Sequence, residues 1–253
     1  MRKILLQGEN ICKEFSQSGT NALVLDHVNA EIYEGDFTVI MGASGAGKST
    51  LLYSLSGMDS ITSGEVIYKD KKISSLSEKQ MSRLRADEFG FVFQQTHLVS
   101  NLTLFENVAV AGYVCSTLSA RQAQERASEL LAQMNVQSAK SRVPSQVSGG
   151  EAQRAAIARA MVGNPGIIFA DEPTGALNKS NSEEVLNLLT ELNTSEQSIL
   201  MVTHDVRAAI RGTRILYLED GKILDELSLP VYSMVGAKER EEEVTQWLAS
   251  LRW

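Results

Sequence analysis

A glycine-rich stretch directly after a short apolar run constrains this 253-residue chain more than any other feature. The run is Phe37–Met41, and the stretch Gly42–Ser49 fits the pattern Gly-x-x-x-x-Gly-Lys-Ser. In such a loop, backbone N–H groups and the N-terminus of the next helix surround phosphate oxygens, while the lysine and serine serve the terminal phosphates and magnesium. Because Leu51, Leu52 and Leu55 share one helical face, the sequence predicts strand, loop and helix in that order.

A second stretch, about 100 residues downstream, also has the features of a phosphate-binding helix start. Ser148 and Glu151 have the spacing of a capping box, and helix formers follow up to Met161. An ordinary capped helix is one interpretation. It does not explain Gly149 and Gly150, which are costly in a first helical turn but allow a close backbone approach to an anion.

Two further apolar runs end at residues that carry chemistry. Ile167–Ala170 leads into Asp171 and Glu172, and Ser198–Thr203 leads into His204. Continuous apolar strands separated by helical patterns predict a parallel α/β sheet with its ligand site at the carboxyl ends of the strands. We therefore assign Asp171 to a magnesium ion and Glu172 to polarising the attacking water, since phosphoryl transfer depends on positioning and charge neutralisation.

Composition limits the function classes. The chain is 43% hydrophobic and 22% charged, as expected for a globular protein, and its formal net charge of −7 argues against a dedicated nucleic-acid binder. Residues 1–8 lack the apolar core of a secretory signal, and no stretch of 18 apolar residues occurs, so we expect a cytosolic chain. Cys12 and Cys115 are predicted to be small buried residues without chemistry.

Taken together, these motifs resemble the nucleotide-binding subunit of an ATP-binding cassette (ABC) transporter, and the resemblance covers nearly the whole chain. It implies ATP and Mg²⁺ as cofactors and an ATP-hydrolysing activity. The implied catalytic residues are Glu172, His204 and Gln94, and the implied metal ligands are Ser49, Gln94 and Asp171. The implied ATP-binding residues are Phe15, Gly42, Ser44, Gly45, Gly47, Lys48, Ser49, Thr50, Ser148, Gly149 and Gly150.

The chain departs from the family pattern at two positions. Asn178 stands where an aspartate is more usual in the loop after Asp171 and Glu172, and it keeps the size and one acceptor of that residue but loses its charge. Phe15 replaces the commoner adenine-stacking tyrosine and retains the aromatic face. A core phenylalanine in an N-terminal strand is the alternative for Phe15.

The predicted fold is an α/β phosphate-loop NTPase core with a mostly parallel sheet, an N-terminal antiparallel β portion and an inserted α-helical subdomain. The core is predicted over residues 1–93 and 165–228, and the helical subdomain over residues 95–163. Residues 230–253 are predicted to form a C-terminal amphipathic helix, which packs on its own subunit or contacts a partner. The apolar positions Leu98, Leu102, Leu104, Phe105 and Val108 suit either core packing or a groove for a permease helix.

The resemblance further implies a head-to-tail dimer formed on ATP binding, which drives an integral membrane permease on a separate chain. We expect a peripheral position at the cytoplasmic face of the plasma (inner) membrane and no nucleic-acid partner. Two other classes compete: a cassette ATPase with soluble or nucleic-acid partners, and an unrelated phosphate-loop kinase or GTPase. The former lacks its usual coiled-coil insertion or second cassette here, and the latter lacks a complete guanine-reading motif.

Within the transporters, three segments are similar to the lipoprotein-release, macrolide-export and bacitracin-resistance group. They are residues 40–52, 89–95 and 171–178, and the ending Trp247–Trp253 is similar to antimicrobial-peptide resistance members. The resemblance therefore favours a role in antimicrobial peptide resistance or export. Recognition of the cargo is expected to belong to the membrane chain.

Overall fold

The structure, a computed structural model, describes residues 2–17, 20–251 and 253. Met1 of the N-terminal stretch and Arg252 of the C-terminal motif lie outside the described residues. Packing divides the chain into two units, one running to Ser77 and resuming at Asn193, the other comprising Glu78–Leu192. These boundaries differ from those predicted for the helical subdomain, residues 95–163, which stays a prediction.

The helices and strands alternate along most of the chain. In chain order they are β1 (Ile4–Gln17), β2 (Thr20–Tyr33), β3 (Phe37–Met41), α1 (Lys48–Leu55), β4 (Ser63–Tyr68), β5 (Lys71–Lys72), α2 (Glu78–Glu88), β6 (Phe89–Phe93), α3 (Leu104–Val114), α4 (Ala120–Gln133), α5 (Gly149–Met161), β7 (Ile167–Asp171), α6 (Lys179–Thr194), β8 (Ser198–Val202), α7 (Val206–Ala209), β9 (Arg214–Glu219), β10 (Lys222–Ser228) and α8 (Ala237–Ser250). Single turns of 3₁₀ helix lie at Gln137–Ala139 and Pro144–Gln146.

The first unit contains two sheets. The N-terminal sheet has the order β2-β1-β4-β5 and is antiparallel throughout, as predicted. In the other sheet β3 runs parallel to both β8 and β9, and β10 closes the edge antiparallel to β9. Every residue of β3 and β8 is buried, which explains their continuous apolar sequences. Helix α1 buries Leu51, Leu52 and Leu55 completely, so the predicted strand, loop and helix are confirmed.

In the second unit, β6 and β7 pair in parallel, from Phe89 opposite Ile167 to Phe93 opposite Asp171. Helix α3 packs on α4 and α5. Helix α4 buries Ala123, Ala127 and Leu131, which recur every four residues and lie on one face. The α/β fold predicted from the strand pattern, with parallel strands and separate helical packing, is confirmed.

The C-terminal helix starts later than predicted. It begins at Ala237 rather than near residue 230, because Gly236 takes a left-handed conformation (φ 86°) and residues 229–233 have no regular structure. Its apolar face packs on its own unit, with Val244 and Leu248 fully buried. Arg240 is also buried there, and its guanidinium donates to the carbonyl oxygens of Ile210, Pro230 and Gly212.

Within the described ranges, no helix is both long enough and apolar enough to span a bilayer.

Candidate functional site

The glycine loop leaves the sheet at the carboxyl end of β3. At Gly42 (φ 151°) a Cβ atom would lie 2.0 Å from the carbonyl oxygen of Leu218, so no side chain fits there. Residues 43–45 are exposed, and Gly45 (φ 84°) has no atom within 4 Å of a Cβ position. The loop therefore packs tightly against β9 at its start and presents open backbone further along.

Lys48 is the first residue of α1 and is only 8% exposed. Its Nζ atom donates to the carbonyl oxygens of Gly42 and Ala43, each at 2.8 Å, so the ammonium lies within the curve of the loop. Ser49 and Thr50 follow in the first turn and are half-buried. An ammonium, hydroxyls and a helix N-terminus at one place form a donor set that fits a polyphosphate.

His204 reaches the same edge of the first unit. Strands β3 and β8 are parallel neighbours with Ile40 opposite Val202, and the Thr203 N–H donates to the Ile40 carbonyl at 3.2 Å. The chain then leaves the sheet at His204, which is exposed, just as β3 gives way to the loop. The structure thus places His204 and the glycine loop at the carboxyl ends of adjacent strands.

Phe15 lies on β1 and is 43% exposed, with the Nζ atom of Lys13 4.8 Å from the ring centroid. It pairs with Ala22 on β2. Two residues further along β2, the carbonyl oxygen of Val24 lies 3.0 Å from where a Cβ of Gly47 would be. The exposure of the ring does not fit the alternative of a core phenylalanine and leaves an aromatic face available for stacking, whereas adenine stacking itself stays a prediction.

Gln94, Asp171 and Glu172 belong to the second unit and lie where β6 and β7 end. Phe93 is opposite Asp171, so Gln94 and Glu172 are the next residues on adjacent parallel strands. Glu172 has φ 47°, a left-handed conformation that is uncommon outside glycine and concentrates at functional sites. Asp171 and Glu172 are half-buried and Gln94 is exposed.

Gly175 and Asn178 both follow β7, and the local structure explains why each residue type stands there. At Gly175 a Cβ atom would lie 2.9 Å from Nε2 of Gln94, so the glycine makes room for that side chain. Asn178 accepts a hydrogen bond from the Asn181 N–H at 3.0 Å through Oδ1, as an N-cap does for α6. Asparagine and aspartate cap equally well, so the departure from the family's aspartate is compatible with the local fold.

Helix α5 begins with the predicted capping box. Ser148 Oγ accepts from the Glu151 N–H at 3.2 Å, and Glu151 Oε2 accepts from the Ser148 N–H at 2.8 Å. The backbone hydrogen bond from Ser148 lowers the pKa of Glu151 below its ordinary value. A Cβ at Gly150 would lie 2.6 Å from the Asn181 side chain, so packing within the chain explains that glycine. Gly149 is exposed and meets only Leu177, at an ordinary 3.5 Å, so packing does not explain it.

The same helix clamps the backbone on both sides of Gln94. Gln153, 1% exposed, donates from Nε2 to the Phe93 carbonyl at 2.9 Å. Arg159 donates to the carbonyl oxygens of Thr96 (2.6 Å) and His97 (2.7 Å). Burial lowers the pKa of Arg159 below its ordinary value. Sequence reasoning missed this clamp, and polar residues in an alanine-rich helix were its only signal.

Comparisons with known proteins agree with this geometry. The family model described as ABC transporter matches residues 25–175. The chain is 38% identical over 253 residues to the macrolide export ATP-binding/permease protein MacB of Pasteurella multocida (strain Pm70). That alignment covers all of this chain and 38% of the relative, so the chain spans well under half of the relative's length.

Two solved structures superpose well. One is a dimeric, post-hydrolysis state of the ATP-binding cassette MJ0796 bound to ADP and Pi, and the other is a dimer of the same bacterial ABC transporter cassette. Both have a TM-score of 0.83, with 37% and 38% sequence identity respectively, and each match covers 90% of this chain and 100% of the other. The chain belongs to the ABC transporter family and is an ATP-hydrolysing cassette. The kinase or GTPase alternative is therefore wrong.

Replacing Arg159 with methionine should lower the free energy of unfolding by about 2–3 kcal/mol, because two carbonyl groups lose a charged donor. Urea denaturation at constant m-value measures the loss. Arg121→Met is the matched control, since Arg121 forms an exposed i,i+4 pair with Glu125 that should contribute less than about 0.5 kcal/mol. Equal losses in the two variants would contradict the clamp.

Proposed function

We propose that this chain is the motor of an ABC exporter, dimerising on ATP and driving membrane-spanning permease segments. The observation that carries the proposal is the exposed start of α5, where Ser148 and Gly149 form a helix N-terminus. Packing within the chain does not require a glycine at position 149. A helix N-terminus is an anion site, and in a head-to-tail dimer the partner's ATP supplies the anion. The dimeric cassette structures support this arrangement.

The proposed roles follow the position of each residue. Phe15 stacks on adenine, the loop with Lys48 and Ser49 holds the phosphates, and Glu172 polarises the attacking water. His204 holds the γ-phosphate end, and Gln94 senses both the metal and the permease. Because ATP adds charge that neither monomer satisfies alone, occupancy favours the dimer.

Ser49, Gln94 and Asp171 are the proposed Mg²⁺ ligands. They offer hydroxyl, amide and carboxylate oxygens, the donor types that Mg²⁺ prefers. In the second unit Asp171 ends β7 directly opposite Phe93, the residue before Gln94, so two of the three belong to neighbouring strand ends. Bound Mg²⁺ would neutralise charge on the phosphates.

The permease contact is proposed for the outer face of α3 and the segment before it. Leu104 and Val108 are buried, so the predicted groove residues serve partly as core. Val110, Tyr113 and Val114 on α3 are 44%, 45% and 66% exposed, and Val99 is 50% exposed, which leaves apolar surface for a partner helix. We propose that the protein works at the cytoplasmic face of the membrane in antimicrobial peptide resistance or export, with its permease on a separate chain. A non-transport cassette ATPase is the alternative.

Gly149→Glu tests the dimer. A carboxylate at this position should repel the partner's ATP, so we expect the ATP-dependent dimer to disappear in analytical ultracentrifugation and turnover to fall by about 100-fold. Binding of a fluorescent ATP analogue to the monomer should change by less than about two-fold, because the monomer's own loop is intact.

Ala120→Glu is the matched control for that variant. Ala120 is also the first residue of a helix, α4, and follows a capping box formed by Ser119 and Gln122. This variant should dimerise and turn over ATP like the unchanged protein. ATP-dependent dimers of Gly149→Glu with normal turnover would contradict the head-to-tail arrangement.

A further inference from the structure

Three side chains of different chemistry meet on the N-terminal sheet, among residues to which the proposed function gives no role. Potential ligand atoms of Cys12, Asp26 and His27 all lie within 4.8 Å of one another. Cys12 is buried, Asp26 is half-buried, and His27 is exposed, its side chain 72% accessible. The three groups are a thiol, a carboxylate and an imidazole. All three are ligand types of transition metals, and they are close enough together to bind one ion.

An irregularity in the pairing of β1 with β2 brings these three side chains together. Ile11 is opposite Val28 and Lys13 is opposite Leu25, so the single residue Cys12 faces two residues of β2, Asp26 and His27. This is the definition of a β-bulge, and such bulges re-aim side chains. His27 has φ 50°, and its N–H donates to Cys12 Sγ at 3.4 Å, so the bulge folds around the sulfur. Without the bulge, neighbouring residues of β2 would point to opposite faces of the sheet.

The carboxylate of Asp26 is held with one oxygen toward the cluster. Its Oδ1 lies 2.7 Å from Nδ1 of His27, whereas Oδ2 accepts from Nζ of Lys222 at 2.8 Å. The Asp26 N–H also donates to the Gly221 carbonyl at 3.0 Å, which fixes the backbone. An outer partner that orients a ligating carboxylate through its second oxygen is a common feature of metal sites.

We propose that Cys12, Asp26 and His27 form a binding site for a divalent transition metal ion, Zn²⁺ in particular, with water completing the coordination. On metal binding the Cys12 thiol releases its proton to solvent, so that a thiolate and a carboxylate balance the ion's charge while the imidazole binds as a neutral ligand. Binding replaces the Asp26–His27 hydrogen bond with one bond from each residue to the metal. The exposed ring of His27 leaves an entry path. The proposal is independent of the proposed function.

The site is connected to the glycine loop by two backbone hydrogen bonds. Asp26 donates to the carbonyl of Gly221, and the Gly221 N–H donates to the carbonyl of Ala46 at 3.2 Å. Metal binding therefore restrains β1, β2 and the strand connection that supports the loop. Because the ion binds the folded chain more tightly than the unfolded one, it should raise thermal stability.

Titration of the chelator-treated full chain with Co²⁺ tests the site. Co²⁺ bound through a cysteine gives a thiolate-to-metal charge-transfer band in the near ultraviolet, and we expect this band to saturate at one ion per chain. Zn²⁺ should then abolish it by displacement. Absence of the band at millimolar Co²⁺, or its persistence under excess Zn²⁺, overturns the proposal.

Matched variants assign the ligands. Cys12→Ser should lose the band, and Cys115→Ser should keep it, because Cys115 is also buried but lies on the second unit, where its Sγ donates to the Ala86 carbonyl at 3.0 Å. His27→Gln changes an exposed side chain and should fold normally while binding Co²⁺ about 10–100-fold more weakly. Loss of the band in Cys115→Ser, or unchanged affinity in His27→Gln, contradicts the assignment.

Discussion

Replacing Glu172 with glutamine should lower ATP turnover by about 10²–10⁴-fold, the range that general-base catalysis contributes, while ATP binding is retained. Glutamine keeps the size of the side chain and removes the carboxylate that is proposed to polarise the attacking water. Because the left-handed backbone at Glu172 positions the side chain directly after β7, the amide occupies the same place without acting as a base. The variant should therefore accumulate as an ATP-bound dimer, measured by analytical ultracentrifugation with and without ATP.

The control for this variant is Glu239→Gln. Glu239 is an exposed glutamate in the first turn of α8, and its replacement should leave turnover and association unchanged. If Glu172→Gln kept more than about a tenth of the normal turnover, Glu172 would not be the base. If it formed no ATP-dependent dimer, dimerisation on ATP would be contradicted instead.

The trapped dimer also distinguishes the transporter from a soluble cassette ATPase. Affinity capture of Glu172→Gln from native membranes with ATP and magnesium should retain a chain with membrane-spanning segments. Lys48→Ala should not retain it under the same conditions. Recovery of soluble partners alone would favour the alternative and exclude the proposed exporter motor.

Replacing Lys48 with alanine should weaken ATP binding by about 100-fold, or about 2.8 kcal/mol. In the structure the ammonium donates to two carbonyl groups of its own loop, and phosphate oxygens are stronger acceptors for the same charged donor. The measurement is isothermal titration with ATP and magnesium on the full chain.

Lys71→Ala serves as the control for binding, because Lys71 is an exposed lysine on the short strand β5. Its affinity for ATP should equal that of the unchanged protein. An affinity of Lys48→Ala within about three-fold of normal would mean that this buried lysine is not a phosphate ligand, whatever the loop sequence indicates.

The core strands were predictable because each is a continuous buried run. The predicted bounds of β3 match the structure, and those of β7 and β8 differ by one residue. Caps are equally local, since the box of Ser148 and Glu151 spans only four residues. Helix α8 begins later than the predicted boundary at residue 230, because the left-handed backbone at Gly236 lies outside a regular helix.

Long-range contacts had no comparable signal. The bonds from Arg159 to Thr96 and His97 join residues about 60 positions apart, and no periodicity encodes them. The bulge that brings Cys12 to Asp26 and His27 depends on the register of two strands, which composition does not fix, so Cys12 was assigned only a packing role. Candidate site residues were found because their motifs are contiguous in sequence, whereas their roles stay predictions.

The buried side chain of Arg240 shows that helix α8 stabilises the unit to which it belongs. One guanidinium satisfies three carbonyl groups that belong to the turn after α7 and to the chain beyond β10, and Tyr232 covers it from one side with its ring centroid 5.8 Å away. Unpaired carbonyls buried from water are costly, so a polypeptide cut before this residue would have to reorganise the end of its sheet. Helix α8 is thus an integral part of the first unit and not a detachable appendage.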